Sequence, residues 1–274
     1  MSFNPTHFFS GLLLSDKQER IKKILAATPA HPDPELLRLI PGLTDLTSLE
    51  GTDTDESIKA LCQKALSMQT AAICVYPVFI RTACRELNHS GIRIATVAGA
   101  FPSGQLPLQL KLEEIRFAVQ EGAEEVDVVL CRGKFISGKF GEIFEELSAI
   151  KSACGDAKLK VILETGELEN DQQIHQAGAL ALEAGADFIK TSTGKARVNA
   201  TLPAFCIMLE TLQQHYKRTG KRCGIKAAGG ISEPLMALHY LQLTQHILGK
   251  EWLVPELFRL GASRLLDALP PNVS

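Results

Sequence analysis

The chain has 274 residues, 45% of them apolar and 22% charged, with a formal net charge of −2. That is the composition of a globular protein long enough to bury a large core, and length alone allows one domain or two. The near-neutral balance argues against nucleic-acid binding, which calls for a basic excess or stripe, whereas a small anion needs only a few local donors.

A charged, partly periodic stretch runs from Asp16 to Ala27, and a short helix is predicted in "DPELLRLI", opened by Pro34 and ended by Pro41. From residue 42 strands and helices alternate. A strand at 43–49 precedes a helix in "TDESIKALCQKAL", where Thr54 through Ser57 offer an N-terminal cap. A strand at 70–77 precedes "FIRTACRELNHSG", and one at 92–101 precedes "LQLKLEEIRFAVQEG". Strands at 124–131, 159–166, 186–193 and 223–230 follow, each leading into a helix of 14 or more residues. An eighth strand around 257–264 is the weakest, because its apolar run is short.

The strands are apolar at both parities, as parallel strands covered by helices are. Eight units without a Pro-, Gly- or Ser-rich linker predict an α/β fold, a closed (β/α)8 TIM barrel over residues 42–270. Residues 1–41 would be a helical extension packed on it. A doubly wound open sheet is the rival, but neither "VAGAFPSG" nor "TSTGKA" supplies GxGxxG, and "STGK" lacks the Walker spacing. The seven cysteines contain no CxxC and are odd in number, which favours reduced thiols over a disulfide framework. With no apolar run near the roughly 18 residues of a membrane span and no basic region of a secretory signal, a soluble cytoplasmic protein is expected. The histidines form no HExxH and no ligand cluster, so no metal site is expected.

A barrel carries its active site at the C-terminal ends of its strands. Four strands hold charged groups there: Asp45 on the first, Asp127 on the fourth, Lys190 on the sixth and Lys226 on the seventh. Side chains alternate along a strand, so Lys190 shares a face with Phe188, and Lys226 shares one with Gly224. Each charged group can then point into the barrel while its apolar neighbours meet the helices, and Gly224 leaves room for a neighbouring side chain. Structural ion pairing is the plain reading of one such lysine. Two lysines and an aspartate on separate strands point further, to amine catalysis. A lysine that loses its proton through burial and a neighbouring ammonium can condense with a carbonyl, and the imine serves as an electron sink for the adjacent carbon–carbon bond. Spacing does not say which lysine attacks. Glu164 and Glu167, at the end of the fifth strand, are candidates to meet Lys190 or Lys226 across the barrel, or to sit in a solvated turn.

Glycines after the late strands suggest a phosphate pocket: Gly194 in "STGK", Gly229 and Gly230 in "AAGG", and "LGAS" ending at Ser263. Singly, each reads equally well as a helix-capping turn. Lys195 would be the cation beside the anion, or else a solvated loop lysine. Cys74 is read as a core cysteine close to the site.

Together "LTDLTSL", "AAICVYP", "EEVDVV", "KVILETGEL", "ADFIKTSTGK" and "GIKAAGG" resemble the deoxyribose-phosphate aldolases, class I aldolases with a (β/α)8 barrel, over residues 40 to 268. The resemblance implies reversible cleavage of 2-deoxy-D-ribose 5-phosphate to D-glyceraldehyde 3-phosphate and acetaldehyde, in deoxynucleoside and deoxyribose breakdown. It implies Lys190 as the Schiff-base lysine and Lys226 as the second lysine, which lowers the pKa of the first. Asp127 would work in the proton relay, Asp45 would belong to the same network, and Cys74 would lie near the substrate. Gly194, Lys195, Gly229, Gly230 and Ser263 would hold the phosphate. It implies no metal or organic cofactor and leaves a homodimer open. The chain departs from the family pattern at "KAAGG", at Ser232 and at Arg264, which could add a cation or point outward. Another Schiff-base aldolase and a non-catalytic sugar-phosphate-binding barrel are the alternatives.

Overall fold

Eight short strands close edge to edge in the computed structural model, which describes residues 17–26 and 34–270. In chain order these are β1 (Thr44–Thr47), β2 (Ala72–Val75), β3 (Arg93–Ala98), β4 (Glu125–Val129), β5 (Lys158–Ile162), β6 (Phe188–Lys190), β7 (Gly224–Ala228) and β8 (Phe258–Ala262). All neighbours are parallel, and β8 pairs with β1 through Asp45 and Gly261, so the sheet has no free edge. The weakest strand of the sequence is therefore the one that closes the barrel.

The helices cover the outer faces. Among the described residues two precede the barrel, α1 (Lys17–Ala26) and α2 (Pro34–Leu39). The crossover helices are α3 (Asp55–Met68), α4 (Ile80–Glu86), α5 (Leu108–Gln120), α7 (Phe140–Cys154), α8 (Asp171–Glu183), α9 (Leu202–Thr219) and α10 (Pro234–Leu248). Thr54 caps α3 through a reciprocal pair of bonds with Ser57, as its position before "DES" suggested. The helix α6 (Arg132–Ile136), inserted after β4, was not expected. The strands are also shorter than the apolar runs that announced them. Residues 163–166 and 191–193 lie past the strand ends and build loops at the barrel mouth, still tied to one another by backbone bonds such as Thr165 N–H to Thr191 O. The helix α1 packs on α9 and α10, and Ile21 and Ile24 join the same core as Leu36 and Leu37 of α2.

Inside the barrel the register aligns one row across four strands: Asp127 with Lys160, Lys160 with Phe188, and Phe188 with Gly224. The row explains Gly224. A Cβ there would lie 2.2 Å from the Phe188 ring, so the missing side chain is the space the ring occupies. Gly224→Ala should lower stability by about 1–3 kcal/mol through overpacking, with partial recovery on adding Phe188→Leu. An unchanged denaturant midpoint for the single variant would contradict this packing.

Candidate active site

The inward positions of β1, β4, β5, β6, β7 and β8 carry seven charged side chains that satisfy one another. Asp127 is the hub: its Oδ2 accepts from Lys190 Nζ at 2.7 Å and from Lys226 Nζ at 2.9 Å, and its Oδ1 accepts from Lys160 Nζ at 2.9 Å. Lys226 also donates to Asp45 Oδ2 at 2.5 Å. Below them Lys160 meets Glu125 at 2.5 Å, while Arg259 bridges Glu125 at 2.7 Å and also donates to Asp45. Every member is at most 3% exposed. The parity argument thus placed Asp45, Asp127, Lys190 and Lys226 in one cluster. It missed Lys160, Glu125 and Arg259. Each shares inward parity with a neighbour two residues along or a partner across the ladder, and that was the available signal.

Four cations, Lys160, Lys190, Lys226 and Arg259, face three carboxylates, Asp45, Glu125 and Asp127. One positive charge is unmatched, and the contacts identify it. Lys226 has two carboxylates and Lys160 has three within 4 Å, whereas Lys190 has Asp127 alone. Burial pushes the Lys190 amine below the ordinary lysine range. The Asp127 carboxylate opposes that shift, and the Lys226 ammonium adds to it. Desolvation, more than the second lysine, is the main cause. Lys226 and Lys160 also lose solvation, but Asp127 with Asp45 or Glu125 outweighs that loss and raises both. Burial alone would raise the Asp127 carboxyl. Lys160, Lys190 and Lys226 hold it well below the usual carboxylate range instead.

Above this cluster a cavity of about 240 Å³ opens between the ends of β1, β6, β7 and β8. Lys190 lines it together with Gly194, Lys195, Gly229, Gly230 and Ser263, so the glycine loops and the strand lysine meet in one space. Ser232 and Arg264 line it too. The loops are tied down locally. Thr191 Oγ1 exchanges hydrogen bonds with the backbone of Ala228, which joins the ends of β6 and β7. Gly229 has φ +88°, and a Cβ there would fall 2.7 Å from Asn199, so a larger residue would push the loop away. A second cavity, about 430 Å³, lies at the start of α9 and α10 and is lined by none of the strand residues above.

Glu164, Glu167 and Cys74 lie apart from the charged cluster. Glu164 does not reach Lys190 or Lys226: its backbone is left-handed, and its buried carboxylate turns to Thr193, accepting from Oγ1 at 2.5 Å and from the backbone N–H at 3.2 Å. Glu167 pairs with Arg132 at 2.6 Å instead, since it lies beyond the strand end on a 3-10 turn. Cys74 is fully buried beside Leu49, Ala95 and Val97, within electrostatic reach of Lys226, and burial raises its thiol. It sits near the charges but does not line the cavity.

The comparisons agree with one another. A family model described as DeoC/LacD family aldolase matches residues 42–262. A deoxyribose-phosphate aldolase of Homo sapiens is 45% identical over 84% of this chain and 78% of its own. That of Bos taurus is 42% identical over 90% and 84%. Among solved structures, a deoxyribose phosphate aldolase from Aeropyrum pernix, described as uniquely tetrameric, superposes with a TM-score of 0.69 at 26% identity, covering 93% of this chain and 95% of that one.

The electrostatics can be read directly by NMR on protein carrying ¹³Cε-labelled lysine. Lys190 should titrate below the ordinary lysine range. Asp127→Asn should move it further down, because the carboxylate favours the ammonium. Lys226→Met should move it up, because a like charge is lost. A Lys190 pKa at the ordinary value in the wild type would contradict the charge count.

Proposed function

The chain belongs to the DeoC/LacD family of aldolases, and from that premise we propose that it is a deoxyribose-phosphate aldolase in which Lys190 forms the Schiff base. The observation that supports this most is the state of Lys190. Of the three barrel lysines it alone has a depressed pKa, and it alone lines the cavity. A neutral amine can attack a carbonyl; Lys226 and Lys160 are held protonated.

In the cleavage direction the Lys190 amine adds to C1 of the open-chain sugar phosphate, and loss of water leaves a protonated imine. Acetaldehyde retains C1 and C2, so the bond that breaks is C2–C3. Its electron pair passes toward the imine nitrogen and forms an enamine, while the C3 hydroxyl becomes the aldehyde of glyceraldehyde 3-phosphate. The proton given up by that hydroxyl is the one C2 then needs. The directly bonded Asp127–Lys226 pair relays it by way of a water entering from the cavity, with Asp45 fixing the Lys226 ammonium at 2.5 Å. Hydrolysis of the new imine frees acetaldehyde and restores the amine. The charged cluster requires no reorganisation at that moment, since its dipoles and charges already point at Lys190.

The phosphate end rests on the cavity. Gly194, Gly229 and Gly230 bring backbone close to the space, Ser263 adds a hydroxyl, and Lys195 is the cation, with Arg264 also in the lining. Cys74 packs in a small apolar cluster with Leu49, Ala95 and Val97, and its buried thiol gives no support for a nucleophilic role. The chain offers one barrel over residues 42–270 with α1 and α2 against it, the rest of residues 1–41 lying outside the described residues, in a cytoplasmic enzyme of deoxyribose breakdown. It works without metal or organic cofactor as a homodimer or a higher assembly.

Borohydride reduction in the presence of acetaldehyde should attach two carbons to Lys190, read by peptide mass. Lys190→Ala should lose nearly all formation of acetaldehyde and glyceraldehyde 3-phosphate from deoxyribose 5-phosphate while keeping its fold. Labelling of Lys226 or Lys160 in active enzyme would sink the assignment.

A further inference from the structure

One residue in the cavity has the wrong sign for an anion site. Glu50, in the loop after β1, lines the same space, and its Oε1 stands 3.1 Å from Lys195 Nζ. It is the sole acid among the described residues that line the cavity. Its position is built into the loop. Asp53 accepts from the Glu50 backbone N–H at 3.0 Å and from Ser48 Oγ at 2.7 Å, and Ser48 N–H is bound to Cys74 O at 3.1 Å. The loop is thereby anchored to β2 with the Glu50 carboxylate at the mouth, opposite Lys195.

We propose that Glu50 is a specificity-determining residue that weakens the hold on a phosphate group and so narrows the preference for phosphorylated over unphosphorylated sugar aldehydes. The inference rests on the reading of Lys195 as the phosphate cation. A phosphate dianion entering the cavity must take Lys195 from Glu50 and then lie within a few ångströms of that carboxylate, well inside the screening length of about 8 Å. A substrate ending in a hydroxyl carries no such charge. It leaves the Glu50–Lys195 pair intact and can donate a hydrogen bond to the carboxylate. Because the pair is partly solvated, with side chains 69% and 32% exposed, the effect is graded: it tunes the affinity and does not abolish it.

The test compares kcat/KM for 2-deoxyribose 5-phosphate with that for 2-deoxyribose in three proteins: wild type, Glu50→Gln and Lys195→Met. Glu50→Gln keeps shape and removes charge, and should raise the selectivity ratio by about threefold to tenfold, carried by a lower KM for the phosphate ester. Lys195→Met should lower the same ratio. A fall in the ratio with Lys195→Met but none of the expected rise with Glu50→Gln would overturn the role of Glu50 and leave the phosphate pocket standing. No change with Lys195→Met would overturn the pocket reading, and the role of Glu50 with it. A change of both substrates in parallel with Glu50→Gln would mark a merely structural residue and also overturn the proposal.

Discussion

Everything in the barrel depends on how charge is balanced around Asp127. Seven ionisable side chains are buried where an unpaired charge would be strongly penalised, and the cluster persists because nearly every one finds an opposite partner. Three carboxylates can neutralise three cations, and a fourth cation is present. The geometry assigns the shortage to Lys190, which shares its single carboxylate with two other lysines. Giving up that proton brings the cluster to neutrality. Of the four cations, Lys190 is therefore the one whose proton this interior gives up most readily.

The same arrangement sets the division of labour. Lys160, Glu125 and Arg259 lie at the lower level, with Phe188 alongside: Lys160 Nζ and the Arg259 guanidinium are each 5.9 Å from its ring centroid. They form a sealed floor that neither solvent nor substrate reaches, which fixes Asp45 and Asp127 from beneath. Lys226 sits above that floor but remains closed off at 0% exposure, while Lys190 at 3% opens on the cavity. A few per cent of exposure separates a lysine that organises charge from one that can meet a carbonyl.

Much of this was legible in the sequence because the period of a strand is two. "FIK" and "GIK" each put a lysine on the face opposite a β-branched residue, and "VDV" does the same for Asp127. Lys160 was harder for a physical reason. It stands two residues into β5, after the exposed Lys158, so in the sequence it resembles the solvated start of a strand. Pairing sets Lys160 directly opposite Asp127, and register between strands is not a property of either strand alone. Arg259 was hidden in the short apolar run of the eighth strand, and Glu125 in the acidic start of the fourth. The direction of Glu164 depended on a left-handed backbone at a non-glycine residue, which composition does not announce.

The mouth follows a different logic from the floor. Its parts are loops, and they are positioned by side chains that take no charge from the cluster. Glu164 binds Thr193, whose hydroxyl in turn accepts from Lys195 N–H at 3.0 Å, and Thr191 locks to Ala228. These contacts fix the backbone while leaving the Lys195 ammonium to whatever anion is near, and in the absence of substrate that anion is Glu50. The buried charges are confined by packing and can change little without collapse of the barrel. The mouth charges are partly solvated, weakly coupled and replaceable. Selectivity among substrates can therefore drift at the rim, through residues such as Glu50, Ser232 and Arg264, while the chemistry beneath stays constrained by the need to keep three carboxylates and four cations in balance.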